Sequence, residues 1–310
     1  MRVLVVTNLW PTPEAPARGG FVRDQVEALQ AIDGLDIEVF SFGIGSREYV
    51  RAATAIRKRY RRERFDVIHA HYGLCGWSAL AAKNAPHVVT FHGTDLEHRY
   101  VGPLSRALAR ITALPAPVSA SLARARLAHS HHRLAVLPCG VNLDRLQRLD
   151  RREARAELGL DPQGRYLLFP SDPKRPEKRY DRARRLADET GATLIAYGQR
   201  RPDEIPLLIN AANAVLVTSE REGFGLAPLE ALACDVPVLA TEVGIAPLVL
   251  GGVHGTLCAP FDTAKWAAAA APHVAQEDSR VDGRARAALF DRNRLAERVF
   301  RAYQDLTNTT

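Results

Sequence analysis

A chain of 310 residues, 46% apolar and 25% charged, has the composition of a folded globular protein rather than a disordered one, and its length fits two domains of about 150 residues each. A net charge of +7, from 42 Lys and Arg against 35 Asp and Glu, suits anionic partners such as nucleotides, phospholipid surfaces or nucleic acid without choosing among them. No run of roughly 18 apolar residues occurs, which argues against a transmembrane helix, and Met1-Arg2 leads straight into VLVVTN with no signal-peptide pattern, so the expected location is the cytoplasm.

In chain order, RVLVVTN reads as a buried strand and FVRDQVEALQAI as the helix behind it. DIEVFSF, a basic helix over 47–65, VIHAH, the helical GWSALAAKN and HVVTFHG continue the alternation. Strand and helix in turn predict parallel sheets covered on both faces, so the fold class is α/β. After LAVLPCG an Arg-rich polar stretch places the domain boundary near Asp150, giving domains 1–150 and 151–310. The second half repeats the pattern with YLLFPS, a helix over about 178–189, ATLIAYG, IPLLINAAN, AVLVTS and PVLAT, so both halves read as Rossmann-like and doubly wound. A run of five alanines, 267–271, belongs to a helix expected to end at Pro272. Cys75, Cys139, Cys234 and Cys258 are scattered without Cys-x-x-Cys spacing and are expected to be reduced thiols.

The stretch SEREGFGLAPLEALA follows AVLVTS and so occupies the loop at the carboxyl edge of a sheet, where ligands bind in such folds. Its glycines let backbone N–H groups approach a ligand, and the helix that Pro228 opens presents a positive dipole end, so the turn reads as a diphosphate cradle. Glu222 stands before the bend. Glu230 lies in the first helical turn, where a carboxylate either accepts from a ribose diol or simply complements the helix dipole.

Glu222 and Glu230, eight positions apart around GFGL, resemble the E-x7-E motif of the retaining glycosyltransferases of family 4. RVLVVTNLWPTPEAPARGGFVRDQVEAL, DVIHAHY, VVTFHGTDL, LPCGVNLDRL and LINAANAVLVTSEREGFGLAPLEALACDVPVLAT are similar to the family's successive segments, nearly the whole chain. The resemblance implies a GT-B architecture, two Rossmann-like domains facing each other across a cleft, with the acceptor on the first domain and the nucleotide sugar on the second. It also implies that the last helix packs back on the first domain.

By that resemblance Glu222 faces the transferred sugar, Glu230 holds the ribose, and backbone amides at Phe224, Gly225 and Leu226 meet the sugar and diphosphate. Lys178 matches the lysine that neutralises the leaving diphosphate. The family's arginine six positions earlier is absent, since Asp172 stands there, so Lys174 or Arg175 must substitute; a guanidinium engages phosphate bidentately, which favours Arg175. His92 matches a histidine beside the anomeric carbon. Gly20 is assigned to the donor side, and Gly19, His71 and Asp95 to the acceptor side. Ile245 and Leu248 stand where the family usually has a glycine and a glutamate, which implies an unusual donor preference.

The implied activity is retaining transfer from a nucleotide-diphosphate sugar, UDP- or GDP-linked, to a hydroxyl acceptor such as a glycan, a lipid-linked saccharide or a small metabolite. No cofactor and no metal are expected. His69 and His71 share one face with His92 in reach, but no carboxylate or cysteine stands at ligand spacing, and His129, His131 and His132 read as a structural or exposed cluster near a helix end. Other readings are an epimerase or phosphorylase of similar shape and a basic nucleic-acid-binding protein, which lacks any recognition motif of that class. The loop PTPEAPARGG lacks the G-x-G-x-x-G of a dehydrogenase. The basic helix over 47–65, with Tyr49, Val50, Ile56 and Tyr60, fits either plain sheet packing with a solvated face or peripheral contact with an anionic membrane at its inner face.

Overall fold

The computed structural model describes residues 1–127, 133–197 and 200–308; the cluster His129, His131 and His132 lies outside them. The chain divides into two compact units, one of Met1–Glu14, Arg18–Gly140 and Arg292–Thr310, the other of Ala15–Ala17 and Val141–Asp291.

The first unit runs β1 (Arg2–Thr7), α1 (Gly20–Gln30), β2 (Asp36–Ser41), α2 (Ser46–Arg59), β3 (Val67–His71), α3 (Gly73–Ala79), β4 (His87–Phe91), α4 (Thr94–Glu97), α5 (Val101–Ala109), β5 (Leu114–Pro117) and α6 (Ala120–Leu127). The second has α7 (Arg151–Glu157), β6 (Tyr166–Phe169), a short 3-10 turn (Pro176–Lys178), α8 (Tyr180–Thr190), β7 (Thr193–Ala196), α9 (Glu204–Ala211), β8 (Ala214–Val217) and α10 (Ala227–Ala233). It continues with β9 (Val238–Ala240), α11 (Ala246–Leu250), β10 (Leu257–Cys258), α12 (Thr263–Ala275) and α13 (Arg284–Ala288). The last helix, α14 (Arg292–Thr307), is part of the first unit.

Both sheets are parallel. Their orders, β2-β1-β3-β4-β5 and β10-β9-β8-β6-β7, are the same topology read from opposite edges. In each the strand order reverses beside the first strand, between β1 and β3 and between β6 and β8. Loops leaving the carboxyl ends of those neighbours diverge to opposite sides of the sheet and leave room for a ligand. The apolar runs bury because both sheet faces are covered: Val3, Val5 and Val88 pack with Leu29 of α1 and with Val299 and Leu306 of α14. In the second unit Leu167, Phe169, Leu216 and Leu239 pack with Leu186 of α8 and Trp266 of α12.

Three expectations from sequence change here. The break between units falls at Gly140–Val141 rather than near Asp150. The Arg-rich stretch is not a solvated linker. Buried Arg151 donates to Asn210 O at 3.1 Å and buried Arg155 to Ala211 O at 2.9 Å, so two guanidinium groups satisfy carbonyls at the end of α9 and pin α7 to the second core. Pro272 sits inside α12, which runs on to Ala275, because burial of Val274 outweighs one missing backbone hydrogen bond near the helix end.

Candidate functional site

In the second unit the two loops at the β6/β8 switch point meet. The chain after β6 passes through the Pro176–Lys178 turn, and the chain after β8 carries Thr218, Ser219 and Glu222. Thr218 Oγ1 donates to Lys178 O and Arg179 O at 2.9 and 3.0 Å, and Glu220 N donates to Glu177 O at 2.9 Å, which clamps one loop to the other. Lys178 Nζ then lies 2.6 and 2.7 Å from the two carboxylate oxygens of Glu222. Ser219 Oγ donates to the nearer oxygen at 2.7 Å, while Thr241 Oγ1 holds Ser219 O at 2.6 Å. Ser219 and the two threonines escaped the sequence reading; a hydroxyl pair directly after a buried strand was the available signal.

The bend behind Glu222 is built as its glycines require. Gly225 has φ +81°, and a Cβ there would press on Glu222 Cγ at 3.3 Å. Phe224 is not displayed to solvent: its ring is buried against Phe290, and its carbonyl accepts from Ile245 N at 2.7 Å. That contact shows what Gly244 does, since a Cβ on it would stand 2.2 Å from Phe224 O. Leu226 precedes α10, and Glu230 lies in that helix's first turn, near enough to the partly covered Tyr197 that burial first and the Glu230 charge second hold the phenol well above its usual pKa.

The remaining basic residues sit differently from Lys178. Asp172 accepts from Lys174 N at 2.9 Å, so the residue found at the family arginine's place builds a turn. Arg175 is forked onto Glu177 at 2.9 and 2.6 Å and lines a surface depression with Arg179, Arg184 and Glu220, whereas Lys174 is exposed. Leu248 is 61% exposed on α11.

In the first unit β3 and β4 bring three histidines together. His69 is saturated, with Nδ1 2.5 Å from Tyr303 Oη and Nε2 2.7 Å from Thr90 Oγ1. His71 stacks on it at 4.4 Å and meets His92 Nε2 at 3.3 Å through Nδ1, while its own Nε2 is buried without a partner among the described residues. Burial pushes His69 and His92 down to about 3 and His71 well below the usual histidine range, so all three are neutral bases. Asp95, wholly buried, accepts from the backbone N–H of Gly73, His92 and Gly93 at 2.9–3.0 Å; burial lifts it to about 6 against those bonds. Its visible work is to hold the turn that carries His92, not to present a free carboxylate to an acceptor. Gly19, at φ +62°, faces Leu9 O at 2.1 Å from any added Cβ, whereas Gly20 opens α1 with nothing within 4 Å. All four cysteines are free thiols, and among the described residues no group of three or more His, Cys, Asp or Glu is arranged to hold a metal ion. No helix among the described residues is long and apolar enough to cross a membrane.

Residues 1–145 match the family model described as Glycosyltransferase Family 4, and residues 164–275 match Glycosyl transferases group 1. The D-inositol 3-phosphate glycosyltransferase of Mycolicibacterium paratuberculosis is 30% identical, over 84% of this chain and 69% of that protein. The one from Actinosynnema mirum is 31% identical over 69% of this chain and 66% of its own length. Among solved structures, sucrose-phosphate synthase from Thermosynechococcus elongatus superposes with a TM-score of 0.75 at 19% identity, covering 100% of this chain and 99% of that one. Anabaena HepE in complex with UDP-glucose gives 0.72 at 17%, covering 99% and 100%. Fold and relatives together define an enzyme of the glycosyltransferase class with a two-domain GT-B fold. The chain belongs to the family 4 glycosyltransferases.

Proposed function

We propose that this glycosyltransferase moves a sugar from a nucleotide-diphosphate donor, UDP- or GDP-linked, to a hydroxyl acceptor with retention of anomeric configuration and without a metal. The observation that carries the reading is the Lys178–Glu222 chelate, set at the β6/β8 switch point in front of the Gly225 bend. A lysine beside a diphosphate and a carboxylate beside sugar hydroxyls are the complementary charges such a donor requires.

In the proposed step the bond from the anomeric carbon to the β-phosphate oxygen breaks, and the electron pair leaves with the phosphate. The acceptor oxygen bonds to that carbon on the same face, and its proton passes to the departing phosphate oxygen. Lys178 and the amides at Phe224, Gly225 and Leu226 stabilise the charge that grows on the diphosphate, with Arg175 in support. Glu222 orients the sugar, Glu230 takes the ribose diol, and the second unit is the donor domain. In the first unit, His92 serves the donor sugar with Gly20, while Gly19 and His71 serve the acceptor; Asp95 acts through the turn it holds. The names of the inositol phosphate relatives support a small polyol or its phosphate as one acceptor class to try. HepE's complex with UDP-glucose supports starting with uridine donors.

A thermal-shift panel of UDP-, GDP-, ADP- and dTDP-sugars tests the reading, since a donor at 100 times its Kd adds about 2.7 kcal/mol to the folded state. One base is expected to raise the melting temperature in the presence of a chelator, and the product's anomeric proton is expected to keep the donor's configuration by NMR. A panel with no stabilising member, or an inverted product, overturns it.

A further inference from the structure

One short segment carries a strong local excess of positive charge. Residues 46–64 hold eight Arg and Lys against two Glu, a balance of +6 within a total of +7. The two acids are occupied: Glu48 pairs with Arg51 and Glu63 with Arg2, each at 2.6 Å. Among the described residues Arg57 and Arg61 make no ion pair and, with Lys83, Tyr60, Asn84 and the Arg2-paired Glu63, line a solvent-open hollow of about 160 Å³.

Val50 lies two helical turns before Arg57, on the same side of α2. Helix α3 lies between α2 and α5, since Ser78 Oγ donates to Tyr49 O at 2.9 Å and Trp77 Nε1 to Leu104 O at 3.1 Å. Those three helices leave Val50 70%, Trp77 37% and Leu104 50% exposed, and Ile111 just past α5 is 60% exposed. Side chains of this size on neighbouring helices form a patch that water does not favour, and with its N–H satisfied by Leu104 O the exposed part of the Trp77 ring adds apolar area to it.

We propose that the α2–α3–α5 face of the first unit docks on an anionic lipid bilayer, with Val50, Trp77 and Leu104 at the acyl boundary and Arg57, Arg61 and Lys83 on the headgroup phosphates. Charge attracts the protein to the surface and the apolar side chains hold it there. Nucleic acid would satisfy the arginines equally, but a phosphodiester backbone gives exposed Val50, Leu104 and Ile111 nothing to bury against. Lipid binding here does not depend on the glycosyl-transfer reading, and its readout involves no donor.

The test is flotation of the intact protein with phosphatidylcholine vesicles, with and without phosphatidylglycerol, alongside quenching of tryptophan by brominated lipid. Expected are flotation only with the anionic vesicles, and quenching that largely disappears in Trp77→Phe, because Trp266 is fully buried and Trp10 packs against the core of the first unit. Reversing Arg57, Arg61 and Lys83 to Glu should lower the bound fraction at least about tenfold with the fold intact by circular dichroism. Should that variant misfold, Val50→Asp with Leu104→Asp is expected to abolish flotation instead. Absence of flotation, equal binding to neutral vesicles, quenching that survives in Trp77→Phe, or charge-dependent binding to duplex DNA without binding to vesicles would overturn the assignment.

Discussion

Lys178 Nζ bridges both carboxylate oxygens of Glu222, and each side chain is only about one-eighth exposed, at 12% and 13%. A pair this sheltered is self-neutralising until an anionic ligand competes for the lysine, so neither partner is dispensable. Lys178→Ala is expected to lower kcat by about 10²–10³ while the protein still folds, because a stabiliser of the leaving diphosphate is lost. Glu222→Gln should reduce turnover as well. Removing either partner alone should cost about 1–3 kcal/mol in thermal unfolding, since a shielded charge is left without its counterion. Turnover near the parent value in Lys178→Ala would remove this lysine from the reaction.

The neighbouring cations divide the work unequally. Arg175 already shares Glu177 and is 46% exposed, and Lys174 lies in the turn built by Asp172. Arg175→Ala is therefore expected to lower kcat only about tenfold, in the range of one charge-assisted hydrogen bond, and Lys174→Ala to leave it nearly unchanged. Steady-state kinetics on the two variants checks the order; a larger loss in Lys174→Ala would reverse the assignment.

Gly244 and Gly20 give a paired test of backbone demands. A Cβ on Gly244 would lie 2.2 Å from Phe224 O in a residue at φ +55°, so Gly244→Ala must move the bend that carries Glu222. A left-handed conformation alone costs a non-glycine residue roughly 1–2 kcal/mol, before the clash is counted. Gly20→Ala meets nothing within 4 Å and favours α1. Gly244→Ala is expected to lose both melting temperature and activity, and Gly20→Ala to keep its melting temperature; differential scanning calorimetry and kinetics read both.

What was legible from sequence follows the strength of local signals. Alternating buried strands such as VLVV and YLLF, with their helices, exposed both sheets, and the bend after AVLVTS marked the edge where Lys178 and Glu222 meet. Tertiary partners were not legible. Arg151 and Arg155 look like solvated charge until the carbonyls of α9 are known, and Asp95 looks like an available carboxylate until three backbone amides close around it. Gly244 behaves the same way, since the carbonyl it makes room for lies twenty residues earlier in the chain.

Acid should destabilise the protein well above the ordinary carboxylate range. His69, His71 and His92 are held neutral in the fold but bind protons when unfolded below about 6.5, so the unfolded state gains protons as pH falls. The stability these groups contribute is complete above that pH and is lost on acidification. Asp95 acts in the opposite direction between its ordinary value of 3.8 and about 6, where the folded state holds the extra proton. Three histidines outweigh one carboxyl, and each net proton is worth about 1.4 kcal/mol per pH unit. The melting temperature is expected to fall steadily from pH 7 to pH 5, with a shallower slope in His71→Gln. A flat profile over that interval would contradict the neutral histidine stack.

Ser219 separates positioning from binding. Its hydroxyl donates to Glu222 Oε1 at 2.7 Å, and its own carbonyl is fixed by Thr241, so it sets the carboxylate's angle without standing in for it. Ser219→Ala leaves the Lys178–Glu222 pair in place but removes the second of the two donors that fix Oε1, so the carboxylate's angle rests on the flexible lysine alone. A hydrogen bond to a charged group contributes about 1.5–3 kcal/mol, which corresponds to a loss of roughly 10- to 100-fold if the whole of it is spent on orienting the sugar. The expected outcome is a fall in kcat of that order with KM for the donor little changed, because the diphosphate contacts are untouched. Ser219→Thr, which keeps the hydroxyl, should restore most of the rate. Equal losses in the alanine and threonine variants would show that the side chain matters only for packing after β8.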